Sequence, residues 1–121
     1  MYHMEVSEGE GQERVILKAF EMGDGIIVFV FNEGGAHIGA VALGEFDSDT
    51  GRTSVSLLTR KGHKDDKVAY EVAYRLAKAK RRPVCVVCGL HIDQITAEQM
   101  ERLLKNAEKV TERALVIGEA L

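Results

Sequence analysis

The chain has 121 residues, 45% apolar and 29% charged, and its 16 Lys and Arg against 19 Asp and Glu leave a net charge of −3. That profile fits one soluble globular domain with a modest core, too short for two domains. The acidic balance excludes general electrostatic binding to nucleic acid, which needs a basic face, and no segment reaches the ~20 apolar residues of a membrane helix.

The opening, "MYHMEVSEGEGQE", lacks the apolar run of a signal peptide, so a cytoplasmic location is expected, and residues 1–11 read as polar and loose. "RVILKAF" (14–20) alternates like a strand. "GIIVFVFN" (25–32) is apolar on both faces, β-branched and aromatic, and too short for a buried helix. "NEGG" (32–35) reads as a hairpin turn, followed by the strand "AHIGAVALGEF" (36–46), the polar turn "DSDTGR" (47–52) and the strand "TSVSLLT" (53–59). This half reads as an antiparallel meander.

The period then changes. Val68, Val72 and Leu76, with Ala69, Ala73 and Ala77 beside them, give helical spacing from 64 to about 81. Asp65 and Asp66 suit the helix start, Lys78, Lys80, Arg81 and Arg82 suit its end, and Pro83 stops it. "VCVVCGL" (84–90) is a buried strand, in which Cys85 and Cys88 point to opposite faces and are expected to be reduced, buried and unable to pair. "TAEQ" (96–99) is a capping box, and Met100, Leu103, Leu104, Ala107 and Val110 stripe a second helix to about 114. The tail "LVIGEAL" fits more helix or a short strand.

The expected fold is a single α+β domain, ββββαβα, with a five-stranded mixed sheet and two helices on one face. Strand four, the first helix and strand five form a parallel crossover. The middle strands are apolar on both faces and no residues remain to cover the second, so a homo-oligomer is expected to cover it.

His37 in "GGAHIG", His63 in "GHKDD" and His91 in "CGLHID" each sit near a glycine at a strand end. The crossover should bring them to one end of the sheet, where α/β folds bind ligands. Three uses are open. A metal site could recruit Asp93, although no compact HxH or HxxxH spacing supports it. An anion site could use the N–H groups at residues 62–64 with Arg60, Lys61 and Lys64, opposed by Asp65 and Asp66 unless these point away. Or the histidines could be ordinary turn and capping residues. GxSxG, GxGxxG and Walker loops are absent.

"GGAHIGAVAL", "GHKDDKVAYEVAYRLAK" and "GLHIDQITAEQ", in that order, resemble the prenylated-flavin chaperone-like family, the small accessory component of UbiD-type non-oxidative hydroxyaryl (gallate-type) decarboxylase systems. The resemblance spans about residues 14–110 and rests on Gly35, His37, Ile38 and Gly39; Gly62, His63, Lys64 and Asp66; and Gly89, His91, Ile92, Asp93 and Thr96. Asp65 stands where glutamate is expected. The resemblance implies an accessory protein that assists delivery or maturation of prenylated FMN, or binds FMN, for a UbiD-type decarboxylase. Joined to the anion site, it implies cofactor contacts from His37, Gly39, Gly62, His63, Lys64, His91 and Asp93. The alternatives are a small enzyme using histidine acid–base chemistry on an anionic substrate, or a divalent-metal protein.

Overall fold

In the computed structural model, residues 3–60 and 65–117 are described. They form β1 (His3–Glu8), a 3-10 turn (Gly11–Glu13), β2 (Val15–Met22), β3 (Gly25–Asn32), β4 (Ala40–Asp47), β5 (Arg52–Thr59), α1 (Asp65–Lys80), β6 (Val84–Gly89) and α2 (Ala97–Ile117). The strands make one mixed sheet ordered β1-β2-β3-β6-β4-β5, in which only β3 and β6 pair in parallel.

Period-two alternation sorts each strand. Val15, Leu17 and Ala19 of β2, Val28 and Val30 of β3, Ala40 and Ala42 of β4, and Val86 and Cys88 of β6 all face one side and are buried there. Both helices cover that side: α1 lies over β4, β5 and β6, and α2 over β1 and β2. The buried faces of the helices follow from their spacing, with Val72, Ala73, Leu76 and Ala77 of α1 and Leu103, Ala107, Val110 and Ala114 of α2 inside. Gly44 lets α1 settle onto β4, because a Cβ there would meet the Ala73 carbonyl. The capping box forms: Gln99 N–H donates to Thr96 Oγ1 at 3.1 Å and Thr96 N–H to Gln99 Oε1 at 2.9 Å. Among the described residues, no helix is long and apolar enough to cross a membrane.

The other side of the sheet carries no helix among the described residues. Phe20, Ile27, Cys85 and Leu43 lie side by side across four strands, and Phe29, Val87, Val41 and Leu58 form the next row. This is the doubly apolar character expected of the middle strands, seen in a single chain. Phe29 is 37% exposed, Leu43 41% and Leu58 74%.

Several sequence expectations need correction. The described residues form six strands, not five: residues 3–8, read as loose, pair along β2, burying Met4 and Val6 under α2 in an alternation that the surrounding Glu and Gly residues disguise. The meander is broken after β3. "NEGG" is a turn but not a hairpin, since β6 inserts between β3 and β4. β5 and β6 run the same way but are separated by β4 rather than adjacent. Helix α2 continues to Ile117, which settles the described part of the tail as helix. Cys88 is buried, but Cys85 is only half-buried on the open face.

The two sheet edges differ. At β1, Arg113 Nη1 donates to the Ser7 carbonyl at 2.8 Å and to Glu8 Oε2 at 2.8 Å, so α2 reaches over that edge. At β5 the side-chain contact to the strand backbone is local: Thr50 Oγ1, in the preceding turn, accepts the Arg52 N–H at 3.3 Å.

Candidate functional site

The carboxyl ends of β3 and β6 point the same way because the two strands are parallel, and β4 begins at that same end because it is antiparallel to β6. Three chain segments therefore converge: residues 33–39 after β3, residues 90–95 after β6, and the start of α1.

Asn32 fastens the first two. It is fully buried, its Nδ2 donates to the carbonyls of Gln12 (2.8 Å) and His91 (2.9 Å), and its Oδ1 accepts the His91 N–H at 2.7 Å. Such a side chain satisfies backbone groups that the strand ends would leave open. The packing is close enough to demand glycine. A Cβ on Gly89 would meet the His37 carbonyl, and one on Gly35 the His91 carbonyl.

Asp65 fastens the third segment. It is 3% exposed, its Oδ1 accepts the Leu90 N–H at 2.8 Å, and its Oδ2 stands 3.3 Å from His37 Nε2. The other ring nitrogen of His37, Nδ1, lies 2.8 Å from the Gly35 carbonyl. A Cβ on Gly39 would strike Asp65, and the backbone of Gly39 is engaged on both sides, donating to the Cys88 carbonyl and accepting from Arg60. Asp65 also acts on Cys88. Burial first, then the neighbouring Asp65 charge, pushes the Cys88 thiol far above its ordinary range.

His91 stands beside His37, with ring centroids 6.2 Å apart and planes at 87°. Its Nε2 lies 2.8 Å from Asp93 Oδ1, and the pair is exposed. A shallow hollow of about 250 Å³ opens here, lined by Gly34, Gly35, Ala36, His37 and His91. That is below the roughly 300–1,000 Å³ of small-molecule pockets, so it suits a phosphate or one ring edge rather than a whole flavin. A larger groove of about 460 Å³ runs between α1 and α2, away from the histidines, with Val72 and Ala107 in it and Lys67, Glu71, Arg75 and Glu108 along it.

Of the residues expected at the site, His37, Gly39, His91 and Asp93 fall in this junction. Gly62, His63 and Lys64, with Lys61, lie outside the described residues. The objection that two aspartates would repel an anion is halved. Asp65 turns inward, while Asp66 stays at the helix start, where its Oδ1 accepts the Lys67 N–H. Arg60 donates to the Ile38 carbonyl at 2.9 Å. Sequence reasoning missed Asn32 and placed Asp65 with Asp66 in the first helical turn without separating the two, since nothing in "FNEGG" or "GHKDD" marks which polar side chain turns inward. Among the described residues there is no group of three or more His, Cys, Asp and Glu able to hold a metal.

The family model of the prenylated flavin chaperone LpdD-like domain matches residues 9–117. The chain belongs to that family. No curated protein matches it at a significant level. Among solved structures, the chain is similar to one in the crystal structure of a novel chaperone complex for yeast 20S proteasome assembly. The TM-score is 0.62 at 14% identity, over 99% of this chain and 98% of that one. At that identity the likeness is one of fold.

Proposed function

We propose that the protein is an accessory binding protein that holds prenylated FMN or FMN and assists its delivery to, or maturation in, a UbiD-type decarboxylase. Family membership supports the flavin. The observation that carries the site is the meeting of His37 and His91 at the convergent strand ends, beside the start of α1. A helix start favours an anion through its dipole, and the hollow has room for a phosphate. His37, Gly39, Gly62, His63, Lys64, His91 and Asp93 form the proposed contact set, with Gly39 contributing by letting Asp65 pack inward. The open sheet face begins next to this junction, since Gly89 and Phe31 pair at its margin. It offers apolar surface to a flat ring, to a decarboxylase, or to a second copy in a homo-oligomer. A cytoplasmic location belongs to the same reading, as Cys85 and Cys88 are free thiols.

One observation favours the enzyme alternative: a carboxylate beside an imidazole, as in His37–Asp65, is an arrangement used to orient a general base. Against it, both ring nitrogens of His37 are engaged within the protein.

The test is titration with FMN and with reduced prenylated FMN, read by fluorescence and by native mass spectrometry. His63→Ala, Lys64→Ala and His91→Ala should each weaken binding by about 1–3 kcal/mol, the range for a lost charged hydrogen bond, with little change in melting temperature. Wild type that binds neither flavin overturns the reading.

A further inference from the structure

We propose that β5 pairs antiparallel with β5 of a second copy, about a two-fold axis through Ser56, making one continuous sheet of two chains. The proposal concerns a different surface from the flavin site and does not depend on it.

The edge is bare in a way proteins ordinarily avoid. Exposed edges are usually blunted by charge, proline or a bulge. Residues 53–59, "TSVSLLT", have none of these along an eight-residue strand, whereas β1 at the opposite edge carries Glu5, Glu8 and the Arg113 contact. Backbone direction follows from the register. Arg60 N–H donates to the Gly39 carbonyl, and the pairing continues as Ala40 with Thr59. By ladder alternation, the backbone groups of Thr53, Val55, Leu57 and Thr59 therefore turn away from β4. With Ser56 on the axis, Val55 faces Leu57 of the second copy and Thr53 faces its Thr59, so the outward groups meet each other. Arg52 then approaches Arg60 of the copy at each end, but both are exposed and the cost is small.

Helix α1 supplies the second and independent observation. Along its β5 side, Asp66, Tyr70, Tyr74 and Lys78 recur every four residues. Tyr70 and Tyr74 stack with centroids 6.2 Å apart, and Lys78 Nζ sits 5.7 Å from the Tyr74 ring. Read backwards, the line is its own complement. A two-fold axis at position 72 sets Asp66 against Lys78 of the copy and Tyr70 against its Tyr74. The two axes fall within about one residue of each other, because Ala73 lies on Gly44, and Gly44 pairs with Val55, next to Ser56. The spacing also fits. α1 lies over β4, so the two copies of α1 would stand three strand spacings apart, about 14 Å. That exceeds the 8–10 Å of close-packed helices and leaves a gap that paired tyrosines fill. Leu57 (37% exposed) and Tyr70 (41%), both on the helix side, would be covered. Self-pairing of β5 closes the assembly, whereas β5 against the guarded β1 edge would run on as a fibre.

Light scattering across a concentration series is the test, with a mass of 2 × 13.3 = 26.6 kDa expected. Val55→Pro, which removes an outward N–H, should give monomer. Because proline could also unfold the strand, charge variants carry the decision. Asp66→Lys and Lys78→Asp should each weaken the dimer roughly 2- to 30-fold, two exposed ion pairs' worth, and the double variant should restore it. Phe29→Lys on the open face should leave the dimer intact. A wild-type monomer at every concentration overturns the proposal. So does a double variant no tighter than the singles, or a dimer lost with Phe29→Lys and kept in the Asp66 and Lys78 variants.

Discussion

Asp65 ties the start of α1 to two segments at once: one carboxylate oxygen takes the Leu90 N–H after β6 and the other stands 3.3 Å from His37 before β4. The junction is thus held by a buried carboxyl group. Asp65→Ala leaves the Leu90 N–H without its acceptor and should cost about 1–3 kcal/mol, the range for a buried polar group left unsatisfied. Asp65→Asn keeps an acceptor for Leu90 and should cost less. Denaturant melts of both variants check the order, and equal losses would show that the Leu90 contact contributes nothing.

Gly89→Ala forces a Cβ onto the His37 carbonyl. Backbone cannot swing aside as a side chain can, so about 1–3 kcal/mol should be lost and residues 33–39 displaced. The measurement is a melt together with the NMR shift of the His37 ring. Unchanged shifts would mean that the loop is not seated on β6.

The two thiols should separate cleanly under a labelling reagent. Cys85, half-buried on the open face, should react in the native protein, while Cys88, buried with its thiol pushed far up, should react only on unfolding. Mass spectrometry after timed labelling resolves the two. Native labelling of Cys88 would contradict the burial.

Cys88 also gives an alkaline signature. Below about pH 8.5 the thiol is protonated in folded and unfolded chains alike and has no effect on the pH slope. Above that the unfolded thiol ionises and the folded one does not, so the unfolded state gains and stability falls as pH rises. Cys88→Ala removes this contribution, so its melting temperature should fall less steeply than wild type between about pH 8.5 and 10. Parallel slopes would show that Cys88 ionises normally in the fold.

Much of this is legible in the sequence. The helices, the capping box, the strands from "RVILKAF" onward and the uncovered apolar face follow from periodicity and turn chemistry, which are local. What stays hidden is non-local. "MEVSE" becomes a strand because β2 offers it a ladder and α2 covers Met4 and Val6, and neither fact is written in those residues. The place of β6 between β3 and β4 depends on pairing over long chain separations, where hairpin signals such as "NEGG" mislead. At the site, the convergence of His37 and His91 follows from strand direction, but the inward turn of Asp65 and Asn32 is decided by which backbone groups lack partners after folding.

The insertion of β6 also sets an order of assembly. Pairing Ile26 with Val84 closes a loop of 84 − 26 = 58 residues, while β1–β2–β3 and β4–β5 need only short closures. Two separate ribbons can form as the chain leaves the ribosome, each with an unsatisfied inner edge, and nothing in either holds the other. When residues 84–89 arrive, one strand zips both ribbons at once. A chain stalled before that point is therefore two sticky half-sheets, and substitutions in β6 such as Val86→Ala should slow refolding where the same change in β2 mainly speeds unfolding.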